Sequence, residues 1–293
     1  MKKLHKKTLL VLLVVVGLLV LTGCQRNVDQ NGNTLPEKII YLTTPWKDMM
    51  SEGFISALFV WPLAQAINLI WSWTGISILA VAVVTLLFNV LTLPLTIKST
   101  VQMQRMQELN PKLQEIQEKY AGRTDDAARM AQAQEMQVLY NKYDLNPLGA
   151  MITPFIQFPI LIAMYYAVQR ADAVVNGTAF GLPLTTTPKA AVENFSQGWP
   201  LVVIFALMVI SQFVSSKISQ WLADKKRKSA KGYREYKDNG SANSMQSNMM
   251  MIGLLAMVAL LGFRWPIAMS VYWLINSVIN ILKTLFVQKR YVD

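Results

Sequence analysis

Long apolar segments alternate with polar, charged stretches along most of the chain. The apolar segments lie near residues 76–97, 148–168, 199–219, 249–263 and 266–287. Each has roughly the 17 to 25 residues with which a helix crosses the hydrocarbon core of a bilayer, although the fourth is short. The pattern therefore predicts five transmembrane helices.

The amino terminus carries the pattern of a secretion signal. Four lysines within residues 2–7 precede an apolar run over residues 9–21, and small residues follow it. The tetrapeptide Leu21-Thr22-Gly23-Cys24 resembles the bacterial lipobox. The resemblance implies that residues 1–23 are a lipoprotein signal peptide and that Cys24 carries a diacylglycerol and an N-acyl chain such as palmitate. The alternative is an ordinary signal anchor with an incidental cysteine.

A further apolar segment, residues 54–73, differs in composition from the five spans. It contains polar or helix-breaking interruptions and several tryptophans: Pro62, Gln65 and Asn68, with Trp61, Trp71 and Trp73. Tryptophan is enriched at the membrane–water boundary, so we predict an amphipathic helix in the outer headgroup region. The polar residues 24–53 before it are predicted to form an extracytoplasmic tether.

The distribution of basic residues tests this topology. With the mature amino terminus outside and five spans, eighteen Lys and Arg lie on the cytoplasmic side and six outside. This is the asymmetry of the positive-inside rule, and a sixth span would invert it. The short tail, residues 288–293, is therefore predicted to lie inside. Removal of the signal peptide and its four lysines lowers the net charge from +11 to +7.

Composition excludes most enzymes. The chain is 53% hydrophobic and 15% charged, with a mean hydropathy of +0.31, which is typical of an all-α polytopic membrane protein. Its one cysteine, Cys24, and its one histidine, His5, both lie near the amino terminus. No His/Cys metal site, catalytic triad or disulfide is expected, and no phosphate-binding loop is present. We therefore predict no enzyme activity, metal or cofactor, apart from the lipid on Cys24.

The two long cytoplasmic loops have different patterns. Residues 98–147 have helical periodicity with a polar break at residues 122–125, which predicts a helical hairpin; a solvated linker is the alternative. Its methionines are adaptable apolar contacts for a partner: Met103, Met106, Met130 and Met136. The basic run within residues 217–246 indicates a topology signal attracted to anionic headgroups, without specific nucleic-acid binding.

Uncharged polar residues recur at helical spacing within the spans, which contain no Asp or Glu. The first span has Thr85, Asn89, Thr92 and Thr96, and the last has Trp273, Ser277 and Asn280; Thr153, Gln157, Gln212 and Ser216 lie on the second and third. Such residues often join membrane helices to one another. Their shared position in the cytoplasmic halves predicts instead a polar groove open to the cytoplasm.

Several short motifs lie at the ends of the predicted spans and within them: Asn146-Pro147-Leu148-Gly149, residues 153–160 (TPFIQFPI), Met164-Tyr165-Tyr166, Leu93-Pro94-Leu95 and Phe263-Arg264-Trp265-Pro266. These motifs resemble those of the YidC/Oxa/Alb family of membrane protein insertases. Five spans, the cytoplasmic hairpin and the lipoprotein signal resemble the Gram-positive branch. One position departs from the family pattern, because Asn89 stands where the family usually has an arginine.

The resemblance implies an insertase and folding chaperone of the bacterial cytoplasmic membrane. Its groove, lined by Gln157 and Trp273 among others, would receive the polar part of a nascent membrane protein, either alone or beside the Sec translocon. The signal-recognition-particle receptor and the ribosome are further implied partners. One alternative is a small-solute channel. The other is a structural lipoprotein without insertase activity, in which Asn89 in place of the arginine would indicate the loss of that activity.

Overall fold

Helices make up most of the structure, a computed structural model that describes Asn27 and residues 34–123, 125–229 and 242–292. The predicted signal peptide and Cys24 lie outside the described residues, so the lipid anchor stays a prediction. The chain forms two compact units. The first comprises Met1–Thr85, Ile156–Phe205 and Gly262–Tyr272, and the second comprises Leu86–Phe155, Ala206–Leu261 and Trp273–Asp293.

Ten α-helices occur in the described part of the chain. In chain order they are α1 (Trp46–Glu52), α2 (Trp61–Thr74), α3 (Ser77–Lys119), α4 (Asp126–Lys142), α5 (Pro147–Arg170), α6 (Asp172–Val175), α7 (Pro188–Glu193), α8 (Phe195–Ser229), α9 (Ala242–Arg264) and α10 (Ile267–Val287). Shorter helical turns lie at Pro36–Lys38, Ser56–Val60 and Gln288–Val292. The prediction of an all-α protein is confirmed, apart from two-residue strands β1 (Thr178–Ala179) and β2 (Leu182–Pro183), which pair antiparallel.

Among the residues that the structure describes, three stretches are long and apolar enough to cross a membrane: Ser77–Pro94, Phe195–Lys226 and Ile267–Tyr291. They cover most of the predicted first span, all of the third and nearly all of the fifth. The predicted second span lies in α5, where the side chains of residues 147–158 are outside the description. The predicted fourth lies in α9, whose apolar stretch Leu255–Arg264 is shorter. The count of five spans therefore stays a prediction.

The first span and the first hairpin helix form one continuous helix, although the sequence predicted a boundary near residue 97. The helix α3 has 43 residues and contains Pro94 and Pro111. At 1.5 Å per residue it is about 65 Å long, roughly twice the thickness of a hydrocarbon core. Proline removes one helical hydrogen bond without ending a helix that is supported elsewhere. About half of α3 must therefore extend beyond the apolar layer.

The segment predicted to be a tether is folded over its described part, residues 34–53. The backbone N–H of Ile40 donates to the carbonyl of Arg170 at 2.7 Å, and Asp172 N–H donates back to Ile40 at 3.1 Å. In α2, Asn68 is buried; its amide donates to the Ile40 carbonyl at 2.6 Å and accepts from Ala173 N–H at 2.9 Å. The polar interruption seen in the sequence is thus a joint between three segments of the first unit.

A buried ion pair closes the same region. The guanidinium of Arg170 is 2% exposed and donates to both carboxylate oxygens of Glu52, at 2.7 and 3.2 Å. Its Nε also donates to the carbonyl of Lys38 at 2.7 Å, and the Lys38 ammonium donates to Glu52 at 2.8 Å. A bidentate arginine–carboxylate pair with further partners has the geometry in which a buried pair is stable. Sequence reasoning counted Arg170 only as an outer charge.

Candidate functional site

The predicted polar stripe of the first span lies on the inner face of α3. Thr85, in the first unit, is 1% exposed, and Thr96, in the second, is also buried. Asn89 and Thr92 are half-buried. On the other side of the helix, Leu91 is 76% exposed. A helix with polar residues inward and apolar residues outward is arranged for an apolar solvent around it.

The threonines of this stripe satisfy their hydroxyls within their own helix. The Thr85 hydroxyl donates to the Val81 carbonyl at 2.7 Å, and the Thr92 hydroxyl donates to Phe88 at 3.0 Å. Thr96 donates to Thr92 at 3.2 Å. Bonding to the carbonyl one turn back is a usual way to place a hydroxyl in a membrane helix. The three hydroxyls therefore each have an acceptor within α3 itself.

The last-span stripe is turned inward in the same way. Trp273 and Ser277, both in the second unit, are buried, and Asn280 is half-buried. Leu282, one turn beyond Val278 on the opposite face, is 61% exposed. The spacing of polar residues in the sequence thus identified the inner face of α10.

One contact joins two of the predicted groove residues directly. The Ser277 hydroxyl on α10 donates to the amide oxygen of Gln212 on α8 at 2.7 Å. Ser216, one turn along α8, donates to the Phe213 carbonyl of its own helix at 2.8 Å. Thr153 and Gln157 lie in α5, but their side chains are outside the description. The second unit therefore contains most of the predicted groove residues, and it pairs Gln212 with Ser277.

The predicted hairpin is formed by the end of α3 and by α4. Asp125 caps α4 by accepting from Ala128 N–H at 3.0 Å. Glu135 accepts hydrogen bonds from Lys119 and from the Tyr120 hydroxyl. These two hydrogen bonds, the one from Lys119 first, lower the pKa of Glu135 below its ordinary 4.5. Glu135 is therefore ionised and holds the two helices together across the turn.

A cleft of about 480 Å³ lies between the two hairpin helices. Its apolar lining comes from Ile116, Val138 and Leu139, with Tyr120, Glu135 and Lys142 among the polar residues. The four methionines of the predicted contact surface lie elsewhere on these helices: Met103, Met106 and Met136 are half-buried, and Met130 is exposed. The sequence missed the cleft because it depends on the register between α3 and α4.

Polar contacts that the sequence did not reveal join α3 to the ends of two other helices of the second unit. The buried Gln104 amide donates to the Thr284 carbonyl at 2.8 Å. Glu108 pairs with Lys226 of α8 at 3.0 Å. Thr284 and Lys226 are distant in sequence from their partners on α3, so no local sequence pattern predicts these contacts. The base of the hairpin is thus attached to both α8 and α10.

Two of the resembling motifs meet in the first unit. The ring of Tyr165, from Met164-Tyr165-Tyr166, packs at a tilt against Trp265 with centroids 4.4 Å apart. Beyond Pro266, the first N–H groups of α10 are satisfied by a loop, since Ile267 donates to Thr186 at 2.9 Å and Ala268 to Leu184. The free N–H groups at the start of a helix need such acceptors when they are buried.

Comparisons with known proteins agree with the motifs. The family model described as 60Kd inner membrane protein matches residues 69–293. Membrane protein insertase YidC 2 of Bacillus anthracis is 28% identical over 278 residues, covering 94% of this chain and 91% of the relative. Membrane protein insertase YidC 2 of Listeria innocua is 27% identical over 295 residues, covering 99% and 86%. Membrane protein insertase YidC of Ureaplasma parvum is 28% identical over 267 residues, covering 86% and 69%.

Proposed function

Since the chain belongs to the 60Kd inner membrane protein family, which includes the YidC insertases it resembles, we propose that it inserts nascent membrane proteins into the bacterial cytoplasmic membrane. The polar faces of α3, α8 and α10 would form the groove that receives the polar part of the substrate. The observation that carries this proposal is the inward position of Asn89, Trp273, Ser277 and Asn280 on helices whose opposite faces are apolar and exposed.

The groove would act by lowering a solvation barrier. Moving one charged side chain to the centre of a bilayer costs roughly 2.5 to 3.5 kcal/mol even on lenient scales. A hydrated polar recess that reaches part of the way divides this cost into smaller steps. Transfer of the substrate's own apolar helix into lipid then supplies the driving force. On this mechanism the protein works as a chaperone, without enzyme activity, nucleotide, metal or other cofactor.

The membrane and the nascent chain are the partners that this mechanism requires. The lipid on Cys24 would hold the mature amino terminus at the outer surface, with the carboxyl terminus inside. The segment 54–73 would lie in the outer headgroups: Phe54 and Trp73 are exposed, whereas Ile67 and Asn68 are buried against the chain. The Sec translocon, the signal-recognition-particle receptor and the ribosome are proposed partners, and the hairpin is the surface on which we place them.

Asn89 gives a direct test of the groove. Asn89 is half-buried, and its amide can offer hydrogen bonds but no charge. Asn89→Leu should slow insertion of a single-span substrate with a short polar tail about tenfold in proteoliposomes. Asn89→Arg should accelerate insertion when the tail is acidic but not when it is neutral, because only an acidic tail is attracted by a cation.

Val90→Ala is the matched control, since Val90 is adjacent on the helix and 58% exposed. It should leave insertion unchanged. Equal rates for Asn89→Leu and the unmodified protein would refute the groove. If the unmodified protein fails to complement an insertase-depleted strain while Asn89→Arg succeeds, the chain is instead a structural lipoprotein that has lost insertase activity.

A further inference from the structure

Two of the predicted groove residues are engaged with each other in the structure. Ser277 is completely buried on α10, and its hydroxyl donates to the Gln212 amide oxygen on α8 at 2.7 Å. Gln212 is half-buried. A substrate that pairs with either side chain must first separate them, since the Ser277 hydroxyl is already donating to Gln212 and no solvent reaches it.

We propose that the Gln212–Ser277 hydrogen bond is a latch between α8 and α10, which opens when a polar segment of the substrate takes the place of Ser277 on Gln212. This inference rests on the proposed function. A primary amide has two acceptor sites and two donors, so Gln212 can pair with almost any polar group that arrives. The exchange leaves the amide satisfied, because the polar group of the substrate replaces the hydroxyl that Gln212 loses.

The strength of the contact suits reversible opening. Hydrogen bonds between membrane helices are weak on average, because the separated state also finds partners. Breaking one of average strength changes a population only about threefold. A latch of this kind biases the closed state without making it permanent.

Two other polar contacts of the second unit lie away from the latch. The helix α3 is tied to α10 through Gln104 and the Thr284 carbonyl, and to α8 through Glu108 and Lys226. Neither contact involves Gln212 or Ser277. Opening the latch therefore breaks neither of these two attachments to α3.

Locking the latch tests the proposal. Gln212→Cys and Ser277→Cys together can be joined by a short bis-methanethiosulfonate reagent, which spans a glutamine's length and is cleaved by dithiothreitol. Insertion of a single-span substrate is then measured in proteoliposomes before cross-linking, after it and after reduction. We expect at least a tenfold loss on cross-linking and recovery on reduction. Undiminished insertion by the cross-linked protein overturns the latch but leaves the proposed function intact.

Releasing the latch gives the complementary measurement and keeps Gln212 in place. Ser277→Ala should raise the insertion rate about threefold for a substrate limited by opening. Ser211→Ala is the matched control, since the Ser211 hydroxyl donates to Met208 of its own helix at 2.9 Å. A rate for Ser277→Ala equal to or below that of the unmodified protein overturns the latch. If the unmodified protein inserts nothing, the proposed function fails and the latch with it.

Discussion

The two units of this protein use polar contacts in different ways. In the first unit two buried side chains each make several contacts: Arg170 binds Glu52 and the Lys38 carbonyl, and Asn68 joins Ile40 to Ala173. In the second unit, the buried hydroxyl of Ser277 joins two helices through a single described bond, to Gln212. Several bonds on one buried group must break together, whereas a single bond can exchange. The first unit is thus built to hold one arrangement, and the second to permit alternatives.

Removing the charge of Arg170 should break the first unit most severely. Arg170→Met keeps much of the side-chain volume but leaves Glu52 as a buried, uncompensated carboxylate. Loss of one partner of a buried pair typically costs about 3 kcal/mol or more. We expect a large decrease in melting temperature in detergent and rapid proteolysis within residues 34–52.

The exposed pair of Lys189 and Glu193 provides the control for this substitution, since both side chains are more than half exposed. Lys189→Ala should change the melting temperature little. If Arg170→Met is as mild as Lys189→Ala, the cluster around Glu52 does not hold the first unit together.

Low pH should destabilise the first unit by protonating Glu52. Burial raises the pKa of this carboxyl, but the hydrogen bonds and charges of Lys38 and Arg170 outweigh burial and hold the pKa below 4.5. Because the folded-state pKa is lowered, the stabilisation is complete above the unfolded-state value near 4.5 and is lost as the pH falls through the folded-state value. Melting temperatures measured as the pH is lowered through this range should show the loss.

Glu52→Gln supplies the comparison for the acid experiment. This variant should be less stable at neutral pH, and its melting temperature should depend less steeply on pH below about 4.5, because the titrating group is absent. Parallel pH dependence in the variant and the unmodified protein would assign the acid sensitivity to other carboxyls.

The smallest effect is expected in the second unit. Glu108→Gln removes a pair with Lys226 in which both side chains are partly exposed. Such pairs contribute at most about 0.5 to 1 kcal/mol and are screened by salt. The melting temperature of Glu108→Gln should be slightly lower than that of the unmodified protein at low salt and equal to it at high salt. Glu115→Gln, on the same helix, is the control and should have no effect. If Glu108→Gln lowers the melting temperature as much as Arg170→Met does, the two units do not differ in how strongly their polar contacts stabilise them.

The sequence was most informative where polar residues recur at helical spacing. The stripes of α3 and α10 identified inner faces because a membrane helix must turn its polar groups away from lipid. It was least informative where partners are distant in the chain: Arg170 and Glu52 are 118 positions apart, and Gln104 and Thr284 are 180 apart. The boundary expected near residue 97 failed for another reason, since the change from apolar to charged side chains does not interrupt the helical backbone of α3.

The inward-facing threonines of α3 have one more consequence. The carbonyl that accepts from Thr96 belongs to Thr92 and also lies in the regular helical ladder, so the hydroxyl can rotate away at little cost to the backbone. Such hydroxyls can donate to an acceptor outside the helix and then return to the carbonyl of their own helix. On the proposed function, such hydroxyls would bind any one substrate sequence weakly and would discriminate little between different polypeptides.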